Sequence, residues 1–558
     1  MKDSAPMAST TAKAATGNHA NDDAKDAQAI LHQNRSNEIW LGVVGPVGAG
    51  GSHAIKALEK ACGAAGYKVE TIKMSSLIRD WAVARELSVP PEGHKTLESV
   101  ETMQNLGDHI RKRDPAGVAR LCLAAIAAKR AEKTGRTFTR GEVVEPDQEK
   151  RAYLIDSIRH PAETSLFRRA YGNAFALVGV VCREDIRRER IIGKYLNNQQ
   201  REDPAQISMV DQFIARDADD STAAYGQHVT SAFHEADFFI DNSEQEGADQ
   251  RIVLEDELGR LVGIITHSRI IRPTIEETAM HHAHSARVRS ACLSRQVGAA
   301  LVDADGTVVS TGTNEVPKAG GGIYGEHFSG IETPPDHRCA FRPGPKICSS
   351  NVEQNRIIDE LIDALPALQQ VEDQAALRAR IRKTRLGGLI EFSRAVHAEM
   401  DALLSAGREG VSTIGTRLFV TTFPCHYCAR HIVSAGVYEV QFIEPYPKSL
   451  ALALHVDAIA VEEDSWMPPE EISAAEEKRR AIALQEGKRQ PEEPGRVLFK
   501  PFVGVAPRLY LRAFEKTRDL KEKVSGEIRL GTPAWGDEWS PFTSAYPELE
   551  AALTKTLP

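Results

Sequence analysis

Two short segments, His397-Ala398-Glu399 and Pro424-Cys425-His426-Tyr427-Cys428, each head a helix-like run, and His397 and Cys425 stand 28 residues apart. This pairing constrains the fold more than any other feature of the chain. Thiols three positions apart on the first turn of a helix lie on one side of it, and a helix N-terminus favours thiolates. His397 can join them only if the two helix starts meet in space. The residues between have room for one helix, a loop and the strand "TRLFVTT", so the order helix, strand, helix, strand is expected, with "YEVQFIEP" as the second strand. One imidazole and two thiolates suit zinc and leave its fourth tetrahedral position open, the layout of a catalytic rather than a structural ion. Glu399, two residues from His397, is placed to take and return a proton beside that position. The competing reading of Cys-x-x-Cys alone is a closed structural zinc with His426 or His431 as fourth ligand.

A chain of 558 residues is too long for one core, and its texture divides it. Residues 1–37 are a polar tail without the apolar core of a secretory signal, and disorder is expected there. Residues 38–266 alternate short apolar strands with helical stretches, the pattern of a parallel sheet covered by helices. Residues 274–558 contain the metal motif, a hairpin signal ("QVGAALV", "DADG", "TVVSTGTN"), an insertion at about 316–390 and an extension at about 465–558. The formal net charge of −9 argues against a protein that coats nucleic acid through a uniformly basic surface. No apolar run reaches the roughly 18 residues of a membrane span. The eight cysteines are scattered, so a reducing, cytoplasmic setting is expected rather than a disulfide scaffold.

The first domain opens with "VVGPVGAGGSHAIKAL", a strand, a glycine-rich turn and a helix. In the phosphate-loop pattern G-x-x-x-x-G-K-[ST], Gly45, Gly50 and Ser52 fit, with Gly48 inside the turn, and Gly51 replaces the lysine. The backbone amides and the helix N-terminus remain suited to phosphate, whereas phosphoryl transfer loses its cation. A nucleotide is the expected ligand of this site. "YLIDSIRHPAE" places Asp156 and Arg159 at a strand end. "VCREDIRRER" offers Arg183, Arg187, Arg188 and Arg190 as a basic lid, or as an ordinary solvated helix face.

The pair H-x-E and P-C-x-x-C is the signature of zinc nucleobase deaminases. Upstream, Ser294, Arg295, Val297, Gly298, Ala299, Gly312, Asn314 and Pro317 stand in the order found in deoxycytidylate deaminases, which this region, roughly 274–447, resembles. The family's Gly-Tyr-Asn-Gly is Gly312-Thr313-Asn314-Glu315 here. The resemblance implies a three-layer α/β/α deaminase domain, with Asn314 and Arg295 contacting substrate. Some relatives carry a second, structural zinc, for which His337, Cys339 and Cys348 are candidates here, the alternative being two buried free cysteines. The first domain resembles nucleoside monophosphate kinases of the P-loop class, and the two together resemble bacterial antiphage deoxycytidylate deaminases. That resemblance implies hydrolytic deamination of dCMP or dCTP, depletion of the nucleotide pool, and a regulatory N-terminal domain. It also implies a homo-oligomer, allosteric control by dCTP and dTTP, and in some members restraint by a small RNA. Alternatives are a deaminase of tRNA or single-stranded DNA, a nucleotide kinase with a zinc-binding appendage, and a sensor of RNA or of a phage product.

Overall fold

In the computed structural model the chain builds two six-stranded sheets. The structure describes residues 35–558 except 92, 94–95, 219–225, 244–247, 267–268, 326–334, 447–448, 462–465, 467–494, 517–520 and 529–545. The expected disordered tail thus lies outside the described residues up to residue 34.

The first sheet holds β1 (Glu38–Val44), β2 (Lys68–Lys73), β3 (Arg151–Ile158), β4 (Phe175–Val181) and β5 (Phe238–Asp241), all parallel, in the order β5-β4-β1-β3-β2. Every residue of β1 and β4 is buried, as befits central strands covered on both faces. Helices α1 (Gly51–Ala64), α2 (Met74–Val83), α3 (Leu97–Arg113), α4 (Gly117–Lys133), α5 (Pro161–Tyr171), α6 (Glu184–Tyr195) and α7 (Pro204–Ala218) make the crossovers, and α8 (Ala248–Ile265) follows β5. The crossover leaving β1 runs past β3 to β2, and the one leaving β3 runs back past β1 to β4, so the neighbouring strands β1 and β3 send their chains in opposite directions. A crevice opens at such a switch point, beyond the strands' carboxyl ends.

The second sheet runs β7 (Val308–Thr313), β6 (Gly298–Val302), β8 (Arg417–Thr422), β9 (Glu439–Glu444), β11 (Val497–Pro501), β10 (Ile459–Ala460). The β6–β7 hairpin and the β6–β8 pair are antiparallel and the remaining pairs parallel. Alternation on β6 assigns the layers. Ala300 and Val302 pack with Ala279, Met280 and Ala283 of α9 (Ile275–Arg287). Ala299 and Leu301 pack with Ala402 of α11 (Ala398–Arg408) and with Cys428 and Ile432 of α12 (His426–Ser434). The insertion contributes α10 (Ser349–Ala364).

The chain's end departs from the expected division at 274–558. β12 (Gly504–Val505) pairs antiparallel with β5, and α13 (Pro507–Phe514) buries Leu509 and Phe514 with the first sheet's core. α14 (Tyr546–Thr554) brings Glu550 to Arg130 of α4 at 2.6 Å, where Glu38 of β1 meets the same guanidinium at 2.8 Å. All three side chains are at most 1% exposed. Two physical needs explain the return: β5 would otherwise present an unpaired edge, and a buried guanidinium requires partners for its charge and N–H groups.

Candidate active site

His397 is the N-cap residue of α11 and Cys425 that of α12, both with extended backbone, so each helix start aims a donor atom at the other. Cys425 Sγ and Cys428 Sγ lie 3.3 and 3.4 Å from His397 Nδ1. Among the described residues these three are the one His/Cys/Asp/Glu group able to hold a metal, their ligand atoms within 4.8 Å of one another. A set of one half-buried imidazole and two buried sulfurs fits zinc. Neither His426 nor His431 joins the group, and His431 Nδ1 instead meets the carbonyl of Tyr427, 2.8 Å away. The closed four-ligand alternative therefore lacks its fourth ligand among the described residues.

α11 can bring His397 so close because β7 offers no side chain at Gly312. A Cβ there would stand 2.0 Å from the carbonyl oxygen of Ala398 and 2.4 Å from the amide nitrogen of Ala402. The buried carboxylate of Asp401 then accepts the Thr313 N–H at 3.0 Å and holds helix to strand. Glu315, the departure from the family pattern, is also buried: Oε2 accepts from Ala291 N–H at 2.7 Å and Oε1 from Val316 N–H at 2.8 Å. Its carbonyl accepts the Val396 N–H at 3.0 Å, which fixes the residue preceding His397. Sequence reasoning missed Asp401, and of Glu315 it saw the departure but not the tether. Only their proximity to the motifs hints at them, because nothing in the sequence distinguishes a tethering Asp from a solvated one.

Glu399 is 4% exposed, and burial pushes its carboxyl up to about 7. Hydrogen bonding to Cys428, and then to His397, holds the Cys425 thiol down to about 4. Hydrogen bonding to Cys425 and burial push the Cys428 thiol up. A metal ion bound by the imidazole and the two sulfurs would displace the protons these groups carry. Hydrogen bonding to Cys425 raises the His397 imidazole to about 9.

A cavity of about 210 Å³ opens beside the ligands, lined by Glu399, Val297, Ile390, Phe423, Tyr446, Arg295 and Arg394 among others. Asn314 also lines it, but both polar atoms of its side chain hold the neighbouring loop: Oδ1 accepts the Val297 N–H and Nδ2 donates to the Arg295 carbonyl, each at 2.7 Å. Asn314 therefore shapes the cavity wall from which Arg295 projects, 59% exposed and 3.9 Å from Glu444. Cys339 and Cys348 line the cavity, while His337 packs on Tyr324 at 5.7 Å. These three do not form a second metal group among the described residues.

The glycine-rich turn sits where β1 ends, in a cavity of about 750 Å³ lined by Gly45, Gly48, Gly50, Gly51 and Ser52. Gly50 caps α1 at φ 85°, and a Cβ there would stand 2.0 Å from Asn242 Nδ2, which donates to the Ala49 carbonyl at 2.7 Å. Of the expected lid arginines, Arg190 lines this cavity. Arg183 pairs with Asp185 at 2.6 Å, and Arg188 pairs with Asp211 of α7 at 2.8 Å.

Residues 273–444 match the family model described as the cytidine and deoxycytidylate deaminase zinc-binding region. The deoxycytidylate deaminase of Enterobacteria phage T2 is 26% identical over 176 residues, covering 31% of this chain and 81% of that protein. ComE operon protein 2 of Bacillus subtilis (strain 168) is 41% identical over 54 residues, 10% of this chain and 29% of that protein. The apo crystal structure of dCMP deaminase from cyanophage S-TIM5 is 22% identical and covers 33% of this chain and 94% of its own, at a TM-score of 0.19. The motif-bearing part of the chain is thus similar to the cytidine and deoxycytidylate deaminase zinc-binding region over residues 273–444. The protein is an enzyme, a zinc-dependent deaminase of the deoxycytidylate class. No described helix is long and apolar enough to cross a membrane.

Proposed function

We propose that the protein hydrolyses the amino group of deoxycytidine nucleotides, dCMP or dCTP, to give deoxyuridine nucleotides and ammonia. One observation carries the reading: a buried carboxyl, Glu399, held up to about 7 beside a His/Cys/Cys set in a single cavity. Zinc held by His397, Cys425 and Cys428 would supply the Lewis acidity that lowers the pKa of water. A carboxyl poised near neutrality suits both directions of proton transfer. Glu399 takes the proton from the attacking water, delivers it to N3 of the cytosine ring, and assists the amine to leave as ammonia. Phe423 and Tyr446 offer aromatic faces for the base, and Arg295 and Arg394 offer cations for phosphate. Asn314 and Glu315 position the wall and the backbone just before His397; neither needs to touch substrate to matter. Ammonia release from dCMP and dCTP, tested with wild type and Glu399→Ala, checks the reading. Turnover by the variant equal to wild type would end the proton-shuttle role.

We assign the N-terminal domain a regulatory role, in which its glycine-rich turn binds the phosphate of a nucleotide. The parallel order around β1, the turn at the carboxyl end of that strand and the absence of a lysine at Gly51 support binding over phosphoryl transfer. A defence role by depletion of the deoxycytidine pool, a homo-oligomeric cytoplasmic enzyme, control by dCTP or dTTP and restraint by a small RNA follow from resemblance. Deamination in extracts before and after phage infection, with and without RNase treatment, tests that group of expectations together.

A further inference from the structure

The turn that would receive phosphate already holds an anion of the chain's own. Asp217, on the last turn of α7, is 2% exposed. Its Oδ2 accepts the N–H of Val47, inside the turn, at 2.7 Å. Its Oδ1 accepts from Arg159 Nη1 at 2.8 Å, and the same nitrogen reaches the carbonyl of Gly45 at 3.2 Å. Arg159 thus presses a permanent positive charge against a loop that lacks its lysine, and Asp217 is that charge's counter-ion. A carboxylate accepting from a loop amide and from an arginine makes the same two contacts that a phosphate oxygen would make there.

The cavity above is shaped for a ligand at its other end too. Gln104 is 6% exposed and lines it; its Nε2 donates to Gln227 Oε1 at 3.2 Å, and its Oε1 has no donor. A buried acceptor without a partner is costly, and a bound molecule carrying an N–H would satisfy it.

We infer that ligand phosphate binds the 45–52 turn by exchanging with Asp217, so that Arg159 takes over the missing lysine's charge and α7 is released from the turn. The inference rests on the reading of that turn as a phosphate site. Because one anion leaves as another arrives, the exchange conserves the charge balance of Arg159, a half-buried guanidinium, and keeps Asp217's place on it filled. It also couples occupancy of the turn to the position of a whole helix, since a carboxylate expelled from a buried pair cannot stay beside the incoming phosphate.

Calorimetric titration of the full chain with inorganic pyrophosphate tests the exchange. Asp217→Asn keeps the shape and removes the competing charge, so it should bind pyrophosphate at least about tenfold more tightly than wild type, which corresponds to about 1.4 kcal/mol. Arg159→Gln should lose most binding, and the double variant should show no gain. Asp217→Asn binding no tighter than wild type, with wild type binding measurably, would overturn the exchange alone. Absence of pyrophosphate binding in wild type and in folded Asp217→Asn would overturn the phosphate site itself. Wild-type protein supplies a reading that does not depend on a variant folding: hydrogen exchange in residues 204–218 should rise on saturation with pyrophosphate. Unchanged exchange there, with binding observed, would overturn the release of α7.

Discussion

Two strand-to-helix junctions carry this protein's chemistry, and they are built from one device with opposite contents. At the end of β1, glycines turn the chain into α1, and the Val47 amide within the turn is partnered by Asp217 from a helix far along the sequence. At the end of β8, the chain turns at Pro424 into α12, and Cys425 at the N-cap meets His397 from the N-cap of α11. Both exploit the positive end of a helix. The first presents backbone and so suits a replaceable anion; the second presents soft side chains fixed by strands and so suits a metal. The difference lies in what stands at the cap, not in the fold around it.

The comparison can be broken most forcefully at its metal half. Cys425→Ala removes the N-cap thiolate and leaves two of the three ligands, and zinc content by atomic absorption should fall from about one ion per chain toward none, taking turnover with it. Retained stoichiometric zinc would mean another ligand set. Damage to the other half should stay there. Arg130→Met strands Glu38 and Glu550 in the first unit, and a loss of about 3–5 kcal/mol is expected in denaturant unfolding. A folded remnant should keep its zinc, and simultaneous loss of zinc would show that the two halves unfold as one. A smaller effect should come from Gly312→Ala, whose methyl would drive α11 off β7. It should cost about 1–3 kcal/mol and weaken zinc retention against a chelator, while pyrophosphate binding stays as in wild type.

The smallest expected effect concerns Glu257, between the two units, where burial pushes the carboxyl up to about 7 and Oε2 has no partner. Its folded pKa exceeds its ordinary value near 4.5, so the folded state binds the extra proton between those values. The resulting stabilisation is complete below about pH 4.5 and is lost as pH rises through about 7. Glu257→Gln should therefore melt a few degrees above wild type at pH 8, with the gap closing toward pH 5. A gap independent of pH would remove the titration from the account.

The metal set could be read in the sequence because ligand spacing and helix starts are local facts, and the long apolar strands β1, β3, β4, β8 and β9 announced themselves by composition. What stayed hidden depends on distant partners. β12 has two residues and no period to recognise, so its return to β5 left no trace in the pattern. Asp217 looks like any charged residue on a helix until the fold seats it on Val47. Asn314 stood out as a substrate contact, whereas its amide binds the backbone on both sides. His337, Cys339 and Cys348 are candidates for a second zinc by resemblance and spacing, and among the described residues their ligand atoms do not converge.

The most direct measurement is ammonia release from dCMP, dCTP, CMP, CTP and a cytosine-containing oligonucleotide by zinc-quantified wild type and Glu399→Gln. The account predicts release from the deoxynucleotides, reduced by about 10²–10⁴ in the variant at unchanged zinc content. Release from the oligonucleotide with dCMP and dCTP untouched, or full turnover without the Glu399 carboxylate, would contradict it.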